Sequence, residues 1–176
     1  VIFLKRKAIQ SLIEWKNSLD RKPLVLKGAR QVGKTWLMKE FGKTHYKNYV
    51  YFNFDEEDAL KTIFESNKNP QRIIDLLSFI ADEKIVPNET LIIFDEIQEC
   101  PNALNSLKYF KEKANDYHVI AAGSLLGTLL SQPKSYPVGM VNLLNIYPLT
   151  FDEFLEATDP ALFKYYSTII QEQTIE

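Results

Sequence analysis

The sequence predicts an α/β fold built on a parallel β-sheet. Short apolar runs alternate with segments of helical periodicity along the chain, which is typical of parallel sheets with crossover helices. One of these runs, "TLIIFDE" at Thr90–Glu96, is continuously apolar up to its acidic end, as in strands buried on both faces. With 176 residues, 45% of them hydrophobic, the chain can bury one sizeable core.

The first elements are predicted to be a helix, a strand and a second helix. A helical stripe covers Ala8–Leu19, and Pro23 then marks a break before the short apolar run "PLVLKG". A helical pattern resumes at Lys34, and Gly42 is predicted to end that helix. The aromatic and β-branched run "YVYFNF" at Tyr49–Phe54 predicts the second strand.

The middle of the chain predicts further alternation. Helical patterns cover Glu56–Glu65 and Gln71–Glu83, and Pro70 stands at a first-turn position before the second of them. "TLIIFDE" is the third strand, a helix follows Pro101, and "HVIAAGS" from His118 is the fourth strand.

The last part of the chain has few charges. Lys134 is the only charged residue between Asp116 and Asp152, but prolines and glycines interrupt this stretch, and no run approaches the roughly 20 apolar residues of a membrane span. We expect two buried strands here, the second being "MVNLLNIYPL". Thr150 stands three residues before Glu153, which predicts a capping box at the next helix.

Composition bounds the compartment and the partners. A single cysteine, Cys100, and the lack of a secretory signal favour a reducing cytoplasm. The net charge is −2, yet residues 1–47 contain 12 Lys or Arg and only 3 acidic residues. Such a positive field suits a polyphosphate site or a nucleic-acid patch, although ordinary solvated lysines also explain it.

The stretch "LKGARQVGKTWL" carries the G-x-x-x-x-G-K-[ST] spacing of a phosphate-binding loop, between a predicted strand and a predicted helix. Backbone N–H groups of such a loop converge on phosphate at a helix N-terminus, and its glycines let the chain turn tightly and approach closely. The lysine would reach the β and γ phosphates, and the threonine hydroxyl would take a position on Mg²⁺. The predicted nucleotide-binding residues are Gly28, Ala29, Arg30, Gln31, Val32, Gly33, Lys34, Thr35 and Trp36.

Two acids follow the third strand directly. Asp95 is predicted at the carboxyl end of that strand, where it would face the phosphate loop and hold Mg²⁺ through water, while the Thr35 hydroxyl coordinates the ion. Glu96 comes next, and a carboxylate in this place can take a proton from an attacking water, which hydrolysis needs and simple binding does not. The alternative is an acid pair that caps a helix or faces solvent.

Four segments together resemble a known family: "LKGARQVGKTWL", "IIFDEIQECPNALNSLKYF", "HVIAAGSLLG" and "NIYPLTFDEFLEA". They look like those of the AAA-type P-loop ATP-binding family of bacteria and archaea, over nearly the whole chain. The resemblance implies a three-layer α/β P-loop NTPase with a parallel sheet, of the additional-strand catalytic-glutamate type, with strand order 5-1-4-3-2. It also implies ATP and Mg²⁺ as cofactors, and a following C-terminal domain of unassigned function that resembles PD-(D/E)XK nucleases.

The resemblance also implies roles for single residues. Glu96 and Lys34 are the expected catalytic residues, and Ser124 falls at the sensor position, where it would contact the γ phosphate or the water. The alternative role for Ser124 is the N-cap of a helix at "LLGTLL". Arg30 matches the family's "RQxGKT" pattern, where it would touch phosphate or face solvent.

The family pattern is incomplete in one respect. An arginine from a neighbour or a later segment often accelerates hydrolysis in this class, but this chain has no arginine after Arg72. Met140 stands after Gly139, where the family commonly places Arg or Lys. Either Lys134 substitutes, or a second copy, a protein partner or an absent domain supplies the arginine, so we expect slow basal hydrolysis.

The chain begins at Val1 and stops at Glu176 in a polar helical run, so we expect it to be a piece of a longer protein. We divide it into an N-terminal helical segment (1–22), a P-loop ATPase domain (23–159) and the start of a truncated C-terminal region (160–176). The leading hypothesis is a Mg²⁺-dependent ATPase that drives or gates an attached effector domain. The alternative is a nucleotide-operated switch that holds ATP and controls contact with a protein or nucleic acid, and a degenerate fold used only for assembly is disfavoured by the intact loop.

Overall fold

The computed structural model describes residues 6–124 and 139–173. These residues form five strands, seven α-helices and one 3₁₀ turn. In chain order the elements are α1 (Ala8–Asn17), β1 (Leu24–Lys27), α2 (Lys34–His45), β2 (Asn48–Asn53), α3 (Asp58–Ser66), α4 (Pro70–Ala81), β3 (Thr90–Asp95), the 3₁₀ turn (Ile97–Glu99), α5 (Pro101–Lys113), β4 (His118–Gly123), β5 (Asn142–Asn145), α6 (Phe151–Thr158) and α7 (Pro160–Gln173).

The five strands form one parallel sheet in the order β2-β3-β4-β1-β5. This is the predicted order 5-1-4-3-2 read from the opposite edge, so the predicted fold class is confirmed. The register pairs Asn53 with Asp95 and Lys27 with Gly123. The carboxyl ends of the central strands therefore meet at one edge of the sheet, where α/β proteins bind ligands.

Helices cover both faces of the sheet, which gives three layers. Alternate residues of β3 belong to different cores, because successive side chains of a strand point to opposite faces. Leu91 and Ile93 pack with the side chains of α1 and α2, whereas Ile92 and Phe94 pack with those of α3, α4 and α5. Burial on both faces explains why this strand is continuously apolar in sequence.

The prediction that Gly42 ends the second helix is wrong. Helix α2 continues to His45, and Gly42 is buried within it. A Cβ atom on Gly42 would lie 2.8 Å from the Cβ of Tyr49, so a larger residue would push the helix away from β2. Glycine at this position allows close packing between helix and strand.

Two other predicted boundaries need correction. The fifth strand is shorter than "MVNLLNIYPL", and it lies at the sheet edge with Leu143 exposed instead of being buried. The first helix ends at Asn17, and Leu19, predicted to lie on its apolar stripe, is fully exposed. Lys134 and the "LLGTLL" segment lie outside the described residues.

The predicted helix starts are confirmed where local chemistry specifies them. Pro70 occupies the first turn of α4, and the Asn69 side chain accepts a hydrogen bond from the backbone N–H of Gln71. Thr150 and Glu153 form the predicted capping box of α6. No helix in the described ranges is both long and apolar enough to cross a membrane.

Candidate functional site

The predicted phosphate loop joins β1 to α2. Gln31 has φ 63° and Gly33 has φ 87°, so the chain enters the left-handed region twice within the turn. Glycine relieves the strain of that conformation at Gly33. Gly28 is needed for a different reason, because a Cβ there would lie 2.3 Å from the carbonyl oxygen of Ile146. The first glycine of the motif thus accommodates the chain after β5, a constraint absent from the sequence interpretation.

Lys34 begins α2 and folds back over the loop. Its Nζ donates to the carbonyl oxygens of Gly28 at 2.9 Å and Ala29 at 2.6 Å, and the residue is only 7% exposed. Burial lowers the pKa of Lys34, and the negative charges of Glu96 and Asp95 oppose this effect. The ammonium group therefore lies inside the loop, within the field of the two acids that end β3.

Asp95 connects the end of β3 to the phosphate loop. Its Oδ2 accepts hydrogen bonds from the Thr35 hydroxyl at 2.5 Å and the Tyr51 hydroxyl at 3.0 Å. Its Oδ1 accepts from the backbone N–H of Glu96 at 3.0 Å. Asp95 is 3% exposed, and these donors offset the cost of burying its carboxyl group. The structure thus brings the two predicted metal ligands into direct contact.

Glu96 leaves the strand in a strained conformation. Its φ of 48° and ψ of 44° lie in the left-handed region, which is unusual for a residue with a side chain. The carboxylate accepts a hydrogen bond from Nε2 of Gln98 at 2.5 Å. Strained backbone of this kind concentrates at functional sites, because the surrounding fold must hold it in place.

Lys34, Thr35 and Glu96 line one cleft, and Asp95 is not among its lining residues. The volume of the cleft is about 490 Å³, within the usual range of ligand sites of about 300–1,000 Å³. Its lining residues are Arg30, Gln31, Gly33, Lys34, Thr35, Trp36, Asp55, Glu96, Gln98 and Glu99. Trp36 is partly exposed on the cleft wall, whereas the Val32 side chain packs in the core on the α1 and α2 face. The predicted loop residues other than Gly28, Ala29 and Val32 therefore line the cleft.

Ser124 directly follows β4, which lies between the strands that lead to the loop and to Asp95. The Nε of Arg30 lies 3.5 Å from its hydroxyl oxygen, at the outer limit of a hydrogen bond. Arg30 is exposed at the cleft, so the two predicted residues meet each other there. Their nucleotide contacts stay predictions, and the alternative helix at "LLGTLL" lies outside the described residues.

Sequence reasoning missed Tyr51, Gln98 and Arg6. The period of β2 could have placed Tyr51 on the α2 face, but only the register of β2 with β3 brings its hydroxyl to Asp95. Gln98 stands two residues after Glu96 and could have been weighed as its partner. Arg6 donates to the carbonyl of Val32 at 3.0 Å and to that of Tyr147 at 2.8 Å, contacts that no local pattern predicts.

The donor set fits magnesium. A hydroxyl and a carboxylate are hard oxygen ligands, and Mg²⁺ typically takes one or two such groups together with water and substrate phosphates. Across the described ranges, no three His, Cys, Asp or Glu residues cluster as a metal cage. Thr35 and Asp95 could therefore help to hold a Mg²⁺ ion that accompanies a bound nucleotide.

Solved structures share this fold. The chain is similar to the Walker-type ATPase PABY2304 of Pyrococcus abyssi, with a TM-score of 0.60 and 17% identity, over 93% of this chain and 59% of that one. It is also similar to a chain in the structure of Drosophila ORC bound to DNA, with a TM-score of 0.56 and 18% identity, over 95% of this chain and 48% of that one. This chain thus spans about three fifths and about half of their respective lengths.

No curated protein sequence matches the chain. A family profile described as an AAA domain matches residues 20–155, which is well over half of the sequence. The matched region contains the phosphate loop, Asp95, Glu96 and Ser124. The chain therefore belongs to the AAA domain family.

Proposed function

We propose that this chain binds ATP with Mg²⁺ and hydrolyses it slowly, and that this cycle drives or gates an attached effector domain. The hydrogen bond of 2.5 Å between the Thr35 hydroxyl and Asp95 Oδ2 carries the proposal. It joins the phosphate loop to the end of β3, as a site for one nucleotide and its metal requires.

The binding half of the proposal rests on the loop and Lys34. Backbone N–H groups of the loop would hold the β and γ phosphates, and the Lys34 ammonium would add a positive charge. When bound beside Thr35 and Asp95, Mg²⁺ would neutralise part of the phosphate charge. The ammonium now donates to Gly28 and Ala29, so one of its three donor positions is available to phosphate without breaking either bond.

The hydrolytic half rests on Glu96. Its carboxylate would accept a proton from a water molecule as the water oxygen bonds to the γ-phosphorus and the bond to the β–γ bridging oxygen breaks. ADP retains the bridging oxygen, and inorganic phosphate receives the water oxygen. Glu96 borders the same cleft as Lys34 and Thr35, which supports this role.

The second candidate function is a nucleotide-operated switch that holds ATP without significant turnover. The bond from Nε2 of Gln98 to the Glu96 carboxylate favours it, because this bond occupies one acceptor position of the group that would receive the proton from water. The missing late arginine also favours it. For the switch, we propose contacts with a protein partner, a second copy or nucleic acid. We propose a cytoplasmic location for either function.

Glu96→Gln separates the two functions. For an ATPase, we expect the variant to bind MgATP like the parent and to lose about 10²–10⁴-fold in turnover, the usual range for a lost general base. Glu65→Gln, on the exposed face of α3, is the matched control. Parent turnover should stay well below about 10 per second, the median for enzymes. Equal hydrolysis by Glu96→Gln and the parent would exclude the base role, and a parent that binds MgATP without turnover would favour the switch.

A further inference from the structure

Arg6 is a buried arginine that lies behind the phosphate loop. It precedes α1 by two residues and is 8% exposed. Its guanidinium contacts three separate segments: the loop, Tyr147 in the chain after β5, and helix α6. The proposed hydrolysis makes no direct use of it, because it does not line the cleft.

The contacts of Arg6 use the shape of its guanidinium. Nη1 donates to the carbonyl oxygen of Val32 at 3.0 Å, and Nη2 donates to that of Tyr147 at 2.8 Å. The Nε atom lies 3.5 Å from Oε1 of Glu153, and both side chains are buried. The planar guanidinium presents its donors in a rigid fork, whereas a lysine ammonium is a point charge on a flexible stem and does not impose this geometry.

The contact with Val32 controls a neighbouring donor. A peptide unit is planar and trans, so the Val32 carbonyl and the Gly33 N–H point in opposite directions. Because Arg6 holds the carbonyl, it directs the Gly33 N–H away from itself. A Cβ on Gly33 would lie 3.1 Å from Nη1 of Arg6, which shows how closely the guanidinium lies against this peptide. Gly33 lines the cleft.

The chain after β5 supports both ends of the loop. At the first end, the carbonyl oxygen of Ile146 fills the space beside Gly28. The Ile146 N–H donates to the backbone carbonyl oxygen of Lys27 at 2.6 Å. At the other end, Tyr147 reaches Val32 through Arg6. Ile146 thus contacts the start of the loop directly, and Tyr147 is linked to the end of the loop through Arg6.

Glu153 holds Arg6 in turn. Its carboxylate oxygens accept hydrogen bonds from the backbone N–H groups of Lys7 at 2.7 Å and Thr150 at 2.9 Å. Burial alone would raise the pKa of Glu153, but these N–H groups and the charge of Arg6 together hold that pKa below its usual range. The acid stays ionised beside the arginine at neutral pH, and it also fixes the chain that leads into α1.

We propose that Arg6 is a positioning residue for phosphate binding: held by Glu153, it fixes the Val32–Gly33 peptide so that the Gly33 N–H faces the bound phosphate. This inference rests on the proposed nucleotide-binding function. Arg6 itself does not touch the nucleotide; with Glu153 of α6, it supports the binding site from outside the cleft.

The first test needs no nucleotide. Amide relaxation dispersion reports backbone exchange on the microsecond-to-millisecond scale. We expect Arg6→Met to produce such exchange at Gly33 while the amides of β4 stay unaffected. Lys7→Met is the matched control, because it removes only the exposed ion pair with Asp152 and keeps the backbone bond to Glu153.

The second test measures the Kd of MgADP by titration calorimetry. We expect Arg6→Met to raise the Kd about tenfold, equivalent to about 1.4 kcal/mol. Arg6→Lys should not restore it, because an ammonium lacks the planar fork. Lys7→Met should bind like the parent. If Arg6→Met does not fold, Glu153→Gln takes its place, with a smaller rise in Kd and exchange at the same amide.

Each outcome decides one proposal. If Arg6→Met lowers the urea midpoint but matches Lys7→Met in Gly33 exchange and in Kd, then Arg6 only packs, and the positioning role is wrong. If the parent protein fails to bind MgADP, the proposed nucleotide function fails. In that case, the Gly33 exchange measurement still shows whether Arg6 holds the loop.

Discussion

The Thr35 hydroxyl donates to Asp95 Oδ2 across 2.5 Å, although 60 residues separate them in the chain. Thr35 lies in the first turn of α2, and Asp95 is the last residue of β3. Their contact therefore depends on the parallel sheet, in which β4 separates β1 from β3. A displacement of either element would separate the loop from its acid.

Lys34→Ala tests the ammonium group of the phosphate loop, and it also removes the hydrogen bonds to the Gly28 and Ala29 carbonyls. Each charge-assisted hydrogen bond contributes about 1.5–3 kcal/mol, so we expect the Kd for MgATP to rise about 10–100-fold. Lys43→Ala, on the exposed face of the same helix, should bind like the parent. Equal affinities of Lys34→Ala and the parent, measured by calorimetry, would remove Lys34 from the binding site.

Thr35→Val tests the metal position. The variant keeps the size of the side chain but loses the hydroxyl, so the bond to Asp95 and the proposed Mg²⁺ ligand are lost together. We expect turnover at saturating ATP to require a higher Mg²⁺ concentration and to fall about 10²-fold, as when a transition-state contact of about 2.7 kcal/mol is lost. Thr35→Ser keeps the hydroxyl, so its turnover and Mg²⁺ requirement should stay near those of the parent. Equal Mg²⁺ titration curves for Thr35→Val and the parent would contradict the proposal that Thr35 holds the metal.

The individual strands, the phosphate loop and the acid pair Asp95–Glu96 could be predicted because their sequence signals are local. Buried strands such as β3 and β4 are written as continuous apolar runs, and the loop motif has fixed spacing. The order of the strands came from the family resemblance, and the structure agrees with it. The capping box of α6 was also readable, since its two members lie within one turn.

The remaining features depend on what folds against them. Gly42 carries the sequence signal of a helix end, yet a glycine is needed there because a Cβ atom would collide with the Tyr49 side chain. The edge position of β5 leaves alternate residues exposed, which a short apolar run cannot reveal. Arg6 meets Tyr147 across 141 residues, and only tertiary structure brings them together.

Tyr51→Phe tests the second donor to Asp95. The variant removes the hydroxyl that lies 3.0 Å from Oδ2 but keeps the ring, over which the Lys39 ammonium lies at 3.5 Å from the centroid. We expect the free energy of unfolding to fall by about 1.5–3 kcal/mol, the usual value of a hydrogen bond to a charged group. We also expect turnover to require a higher Mg²⁺ concentration, because one constraint on the carboxylate is lost.

Tyr49→Phe is the control for this measurement, since Tyr49 packs on the same face of β2 two residues earlier. Urea unfolding and a Mg²⁺ titration should both distinguish the two variants. If Tyr51→Phe behaves like Tyr49→Phe in both assays, the hydroxyl does not position Asp95.

His118 begins β4 and is buried away from the cleft. Its Nδ1 lies 2.6 Å from the Tyr46 hydroxyl, and its Nε2 lies 3.2 Å from Oδ1 of Asn88. Because the amide oxygen can only accept, Nε2 carries the proton and Nδ1 accepts from Tyr46. Burial, and secondarily the charges of Arg21 and Lys16, lower the pKa of His118 from 6.5 to about 4.

This environment predicts that the folded state loses stability in mild acid. Between pH 6.5 and about 4, the unfolded chain binds a proton at His118 that the folded chain excludes, so stability falls as the pH falls through this window. From pH 7.5 to pH 5, we expect a loss of about 2 kcal/mol from this residue. His118→Gln should lose less than half as much over the same range in urea unfolding, while His45→Gln should follow the parent. Most carboxylates titrate below this range, so His118 should dominate the change in stability. Parallel curves for the parent and His118→Gln would therefore show that another group is responsible.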